Sequence, residues 1–168
     1  MTEARTQVLT AKQIDQRIDR IAYQIHENNY QEETIIVAGI EGRGSELAAM
    51  ICEKLRAISP IEIISTTINV DKRNPVDSDP LLGIENEDLR DTVVILVDDV
   101  LNSGKTLIYG VKRFLRVPLK RLRTVVLVDR DHKRFPIKAD YVGLSLSTTL
   151  QEHITVVLSG VEKGVYLG

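Results

Sequence analysis

Val93-Val94-Ile95-Leu96-Val97-Asp98-Asp99-Val100-Leu101-Asn102-Ser103-Gly104-Lys105-Thr106 decides how this chain is read. The stretch opens as an unbroken apolar, mostly β-branched run. Such a run marks a strand buried on both faces of a parallel sheet. Two adjacent carboxylates, Asp98 and Asp99, follow at the expected strand end, and Asn102-Ser103-Gly104 lead into a helix expected from Thr106. Backbone N–H groups and hydroxyls at a helix N-terminus can hold a phosphate. The acids just before them can hold sugar hydroxyls or a magnesium-bound sugar. A ribose carrying a 5′-phosphate satisfies both halves. An ordinary capped strand-to-helix turn accounts for Asn102 or Ser103. It does not account for paired acids closing a buried strand, because Asp is disfavoured in strands and costly to bury. The ATP-type phosphate loop fails as well: it needs a glycine where Asp99 stands.

Working outward, Thr10 is placed to cap a helix over about 11–28, with Ile14, Ile18, Ile21, Ala22 and Ile25 at helical spacing. Thr34–Ala38 reads as a buried strand, Gly39–Gly44 as a glycine-punctuated loop, and Ser45 as the cap of a helix from Glu46 to about Ala57. Ile61–Val70 is the next strand. Asp71–Leu82, rich in Asp, Pro and charge and without apolar period, reads as a long functional loop. Thr92–Val97, Arg123–Val128, Asp140–Val142 and Ile154–Leu158 are further strands, Thr106–Arg116 is a helix, and Val165–Leu167 is a final edge. Strands alternating with helices predict an α/β fold: a mostly parallel twisted sheet flanked by helices. Ligands of such sheets bind beyond the carboxyl ends of the strands. Gly39, Asp98–Lys105 and Asp129–Arg130 all follow strands, so they are expected on one face.

The chain has 168 residues, enough for one domain with a proper core. Net charge is −2, so no global charge draws it to nucleic acid. Cys52 is the only cysteine, which fits a reducing cytoplasm. No apolar run reaches membrane-spanning length and no secretory leader pattern opens the chain, so a cytoplasmic protein without membrane contact is expected. Basic residues between Lys105 and Lys138 read as a solvated helix face. Asp15, Asp19 and Glu27 on the first helix further disfavour RNA as a partner.

The central motif resembles that of the type I phosphoribosyltransferases: an apolar strand, two acids and a small-residue loop ending in a basic residue and Thr. The stretch from Val128 to Gly143 resembles one branch of them, the bifunctional pyrimidine-operon attenuator/uracil phosphoribosyltransferases, and Gly39–Gly44 resembles their diphosphate loop. The resemblance runs from about Val8 to Leu167. It implies a single domain over 1–168, with a mobile lid at about 71–82 and a small C-terminal hood at about 130–168 over the base. It implies transfer of phosphoribose from phosphoribosyl diphosphate to a nucleobase, uracil first, with Mg2+ as cofactor. A purine enzyme and a nucleotide-sensing regulator with weak catalysis are the alternatives. At least a homodimer is implied.

Residue by residue, Asp98 and Asp99 are expected on the ribose hydroxyls, directly or through magnesium. Asn102, Ser103, Gly104, Lys105 and Thr106 are expected on the 5′-phosphate. Ile40, Glu41, Gly42, Arg43 and Gly44 are expected on the diphosphate, with Arg43 donating to its oxygens. Lys72 and Arg73 would close over it from the lid. Arg130 is placed to reach the diphosphate or the base. Lys138, Tyr141 and Val142 are placed on the base, Tyr141 by stacking. Two positions depart from the family pattern: Glu41 stands where relatives often carry Lys, and Asn102 where purine enzymes carry Asp and the uracil branch often Tyr.

Overall fold

The structure, a computed structural model, describes residues 4–149 and 151–168. Strand β1 (Thr6–Thr10) leads directly into helix α1 (Ala11–Asn29). There follow β2 (Thr34–Ile40), α2 (Arg43–Ile58), β3 (Glu62–Asn69), β4 (Leu81–Leu82), α3 (Asn86–Leu89) and β5 (Val93–Leu101). The chain ends with α4 (Lys105–Phe114), β6 (Arg121–Asp129), β7 (Tyr141–Ser145), β8 (Ile154–Val157) and β9 (Gly164–Leu167). Among the described residues no helix is long and apolar enough to cross a membrane.

A six-stranded sheet runs in the order β4-β3-β2-β5-β6-β7 and is parallel except for β4. The expected α/β architecture is therefore present. Val93, Ile95 and Val97 of β5 face the core beneath α1 and α2, while Val94 and Leu96 face the one beneath α4. All five side chains are completely buried. This is why the sequence showed a continuous apolar run where a half-exposed strand would alternate. Each such burial contributes about 1.5–3 kcal/mol before the entropy of ordering is subtracted. The chain winds outward from β2 to β3 and then returns to the other side of β2 as β5. The switch point for ligands thus falls between β2 and β5.

The Thr10 cap is realised as a full capping box. The Thr10 hydroxyl accepts from the Gln13 N–H at 3.2 Å, and the Thr10 N–H donates to the Gln13 side chain at 2.9 Å. Several readings need correction. The N-terminal segment before that cap is a strand, β1, pairing antiparallel with β9. Because β8 pairs on the other side, Val165–Leu167 lies in the central strand of a three-stranded sheet, not at its edge. This three-stranded sheet therefore draws on both ends of the chain. A β-bulge between Gln7 and Leu9 blurs the alternation that would have revealed β1. Helix α2 starts at Arg43, so Ser45 sits inside its first turn, donating its hydroxyl to Gly42 O at 2.7 Å, and caps nothing. Helix α4 begins one residue early, at Lys105, and ends at Phe114. Finally, the last two residues of the 71–82 loop are a strand, β4, paired with Ile68–Asn69, and a short helix, α3, follows it.

Candidate active site

Strand β5 continues through both acids to Leu101, so Asp98 and Asp99 lie within the strand and not after it. Pairing with β6 carries them: Asp98 stands opposite Val126, and Leu101 opposite Asp129. Asp98 is only 5% exposed. Burial first, and the Asp99 charge second, push its carboxyl up to about 8, against an ordinary value of 3.8. Its Oδ1 accepts from the Asp99 N–H at 2.9 Å. Asp99 is half-buried and faces solvent more freely. The pair thus sets a buried acid, whose neutral form is favoured, beside a more exposed one.

A cavity of about 150 Å³ lies against this pair, lined by Lys72 and by the continuous run Asp98–Leu107. It brings together Asp98, Asp99, Asn102, Ser103, Gly104, Lys105 and Thr106, as the sequence led one to expect, and adds Lys72 from the long loop. Helix α4 opens into it with no side-chain cap from Gly104; the Lys105 N–H donates to the Ser103 hydroxyl at 3.2 Å, and the later first-turn N–H groups are left for a ligand. Gly104 holds φ +86°, and a Cβ there would lie 2.6 Å from Ile137 Cγ2, so only glycine fits. The loop is braced from below: Ser103 O accepts from the Arg134 and Phe135 N–H groups at 2.8 and 3.1 Å. The cavity is smaller than the roughly 300 Å³ at which ligand pockets begin. It suits a phosphate and the near side of a sugar, and any larger group would lie beyond its rim.

The β2–α2 turn stands beside this cavity, one strand over. Only Glu41 and Gly42 intervene between strand and helix, so the loop is shorter than Gly39–Gly44. Gly42 has φ +99° and, like Glu41 and Arg43, is exposed. Gly39 and Gly44 do a different job. A Cβ on Gly39 would meet Ser45 Cα at 2.6 Å, and one on Gly44 would meet Val97 O at 2.9 Å and Asp98 Oδ1 at 3.2 Å. These glycines let α2 press against β2 and β5. Ile40 is 1% exposed in the core beneath α4, so its side chain cannot touch a ligand.

Lys72 and Arg73 both line a surface hollow with Asn69, Asp79 and Leu81, and Lys72 alone also reaches the cavity beside the acids. Tyr141 also needs correcting. It is 5% exposed in the core beneath α1, and its hydroxyl accepts from Asn28 Nδ2 at 2.7 Å, so its ring cannot stack on a base. The Val142 carbonyl is taken by Arg20 Nη2 at 2.6 Å. Lys138 is exposed and does not line the cavity beside the acids. The glycine turn after Tyr141 invited the base assignment; alternation along β7 turned the ring inward.

The rim opposite the cavity is built by Arg130 together with residues that sequence reasoning left out. Arg130 donates to Asn102 Oδ1 at 3.1 Å, to Thr148 Oγ1 at 2.9 Å, to Thr149 O at 3.1 Å and to Glu152 O at 2.7 Å. His132 Nε2 meets Thr148 O. Arg130 therefore ties the loop before α4, through Asn102, to Thr148, Thr149 and Glu152, and its guanidinium is occupied by protein. No sequence pattern announces this, because the partners lie 18 to 28 residues away and two of the four are backbone carbonyls.

Against known proteins, the phosphoribosyl transferase domain matches residues 4–159. The chain is 33% identical over 166 residues to the bifunctional protein PyrR of Clostridium acetobutylicum, covering 95% of this chain and 93% of that one. It is 34% identical over 156 residues to the same-named protein of Haemophilus ducreyi, covering 89% and 87%. Among solved structures, a hypoxanthine phosphoribosyltransferase from Staphylococcus aureus superposes with a TM-score of 0.72 at 16% identity, over 86% of this chain and 80% of that one. A point mutant of the Trypanosoma cruzi enzyme, complexed with its product IMP, gives 0.71 at 21% identity, over 84% and 72%. At those identities the solved structures establish the fold.

Proposed function

This chain belongs to the phosphoribosyl transferase family, and from that premise we propose that it moves the phosphoribosyl group of phosphoribosyl diphosphate onto uracil, releasing diphosphate. The observation that carries the site is one cavity holding the Asp98–Asp99 pair, the uncapped start of α4 and Lys72. In this reading the N–H groups and hydroxyls of 103–106 hold the 5′-phosphate. Asp98, mostly neutral near pH 7, both donates to and accepts from the sugar hydroxyls, and Asp99 accepts from them. As the C1–diphosphate bond breaks, positive charge grows on the ring and negative charge on the leaving group. Asp99 faces the first; Lys72, Arg43 and the Glu41–Gly42 backbone face the second. The uracil nitrogen then forms the new bond to C1, its proton passing to the departing diphosphate, at the rim made by Asn102, Arg130 and residues 148–149, in place of Tyr141 and Val142.

Magnesium, when bound, screens the diphosphate and makes it a better leaving group. Among the described residues no three His, Cys, Asp or Glu side chains form a chelating group. The ion fits here as one delivered with the diphosphate, reached by Asp98 and Asp99 through the sugar or water. We further place the protein in the cytoplasm as a homodimer. The test is diphosphate release with uracil, hypoxanthine, guanine and adenine in turn. Activity with uracil above the purines is expected, and folded protein inactive with all four bases would overturn the reading.

A second reading is supported by Asn102. Its Oδ1 is held by Arg130, and an amide cannot take a proton from the incoming base. On this reading the chain senses nucleotides with negligible turnover. Calorimetry with uridine monophosphate beside the assay separates the two: tight binding without turnover favours the regulator. RNA retention that collapses with added salt would add RNA as a partner, against the acidic side chains of α1.

A further inference from the structure

The long loop does not hang free. Its residues 75–80 lie along the second half of α4 and enclose, with it, a cleft of about 290 Å³ outside the phosphate cavity. Helix α4 and the residues just after it present three cations to this cleft, Lys112, Arg113 and Arg116, and the loop presents Asp77 and Asp79. Asp79 is gripped by Arg116 through both guanidinium nitrogens, one at 2.9 Å. Arg116, then Arg113 and Lys112, hold the Asp79 carboxyl below the usual range, so all three cations face one carboxylate. Asp77 is engaged elsewhere, accepting from Asn74 Nδ2 at 3.1 Å. Arg113 Nη1 is buried and has no hydrogen-bond partner among the described residues. Three cations against two exposed carboxylates, only one of them paired with a cation, and a buried donor unused leave the cleft with an excess of positive charge.

The same loop reaches the active cavity. Asp71 accepts from the Arg73 and Asn74 N–H groups at 2.9 and 3.2 Å and from the Ser78 hydroxyl at 3.0 Å. One carboxylate thus fastens both ends of 71–78 into a single turn. Lys72, which lines the phosphate cavity, is one residue from Asp71, and Asp79 is one residue from Ser78. What holds Asp79 therefore also holds Lys72.

We propose that the cleft between 75–80 and α4 is a second anion site, selective for polyphosphate groups, whose resting occupant is Asp79. An incoming polyphosphate displaces Asp79 from Lys112, Arg113 and Arg116 and releases the loop that carries Lys72. The displacement is feasible because Arg116 and Asp79 are both exposed, and exposed ion pairs hold weakly. A polyphosphate carries more charge and more acceptors than one carboxylate and can also use the idle Arg113 nitrogen. The site lies outside the cavity assigned to phosphoribosyl transfer, so it stands whether or not uracil is the substrate.

The test is titration calorimetry with tripolyphosphate and, separately, with ATP, on the wild-type chain, on Asp79→Asn and on Lys112→Gln/Arg116→Gln. Both substitution sets fall outside the phosphoribosyl cavity. Wild type is expected to bind one more equivalent per chain than the Lys112→Gln/Arg116→Gln variant. Asp79→Asn should tighten that equivalent by about two- to fivefold, the range of an exposed ion pair. Equal affinity for the two ligands identifies free polyphosphate as sufficient; tighter ATP binding identifies a nucleoside triphosphate. Either supports the site. Identical stoichiometry in all three proteins, or an extra equivalent that Asp79→Asn leaves unchanged, overturns it. In ligand-free protein, tryptic cleavage after Lys72 and Arg73 should be faster in Asp79→Asn than in wild type. Equal rates would overturn the latch.

Discussion

Asp98 is the residue on which stability and function pull in opposite directions. A carboxyl lifted from 3.8 to about 8 by burial and by Asp99 remains protonated in the folded chain while the unfolded chain ionises it. Between those values unfolding releases a proton, so this residue's contribution to stability is full below about pH 4. It falls as pH rises and is gone above about 8. Asp98→Asn keeps the shape and removes the titration. Its urea midpoint should gain on wild type steadily from about pH 4 to about pH 8; parallel profiles would show that Asp98 ionises normally. The double change Asp98→Asn/Asp99→Asn should lower the rate of phosphoribosyl transfer by about 10²–10³-fold, the scale of losing a charge-stabilising contact. Such a variant, folded by circular dichroism and fully active, would remove the pair from the mechanism. Both carboxylates were legible from the sequence because buried acids in an apolar run have no cheaper explanation.

At the scale of elements, the contact between α2 and the sheet sets where the β2–α2 turn can stand. Gly39 carries it: an added methyl would press on Ser45 Cα, Ala48 Cβ and the Gly44 carbonyl, all within 2.9 Å and two of them backbone. Gly39→Ala is therefore expected to destabilise the fold by about 1–3 kcal/mol through overpacking, read as a lower urea midpoint. Gly42→Ala meets no atom within 4 Å and strains only its φ of +99°, so its cost should be smaller. Equal costs would show that α2 shifts freely. The loop at 71–82 makes the second element-scale prediction. Lys72 faces the Asp98 carboxyl across this cavity but makes no ion pair or hydrogen bond with its side chain among the described residues; a bound diphosphate would supply one, and that differential contact can drive closure. Tryptic cleavage after Lys72 and Arg73 should slow with magnesium and phosphoribosyl diphosphate at saturation; unchanged cleavage would show that the loop is no lid. The sequence marked this loop by its composition. That it folds back on α4 through Asp79 and Arg116 was invisible, because the two residues are far apart in the chain and each looks like an ordinary surface charge.

For the whole molecule, α4 leaves an apolar outer face. Ile108, Val111 and Leu115 share a hollow with Phe135, and Leu115 is 69% exposed. Exposed large side chains gathered in one patch mark interaction surfaces. If the homodimer forms there, Leu115→Glu should shift sedimentation from dimer to monomer without lowering the urea midpoint; an unchanged dimer would place the interface elsewhere. The layered α/β plan, the capped first helix, the central strand and the phosphate loop were all determined by local pattern: apolar period, a Thr–Gln box, paired acids, a short loop before a helix. These signals are written in neighbouring residues and survive without the rest of the chain. Tertiary structure alone decided three things. It joined β1 to β9 across the whole length of the chain, turning a supposed edge into a central strand. It turned Tyr141 into the core and tied Arg130 to Thr148, Thr149 and Glu152. It set Lys72, but not Arg73, against the cavity beside Asp98 and Asp99, although the two share the outer hollow. In each case the outcome depends on which residues meet from distant parts of the chain and on which side of a strand a side chain emerges. Composition and spacing carry neither.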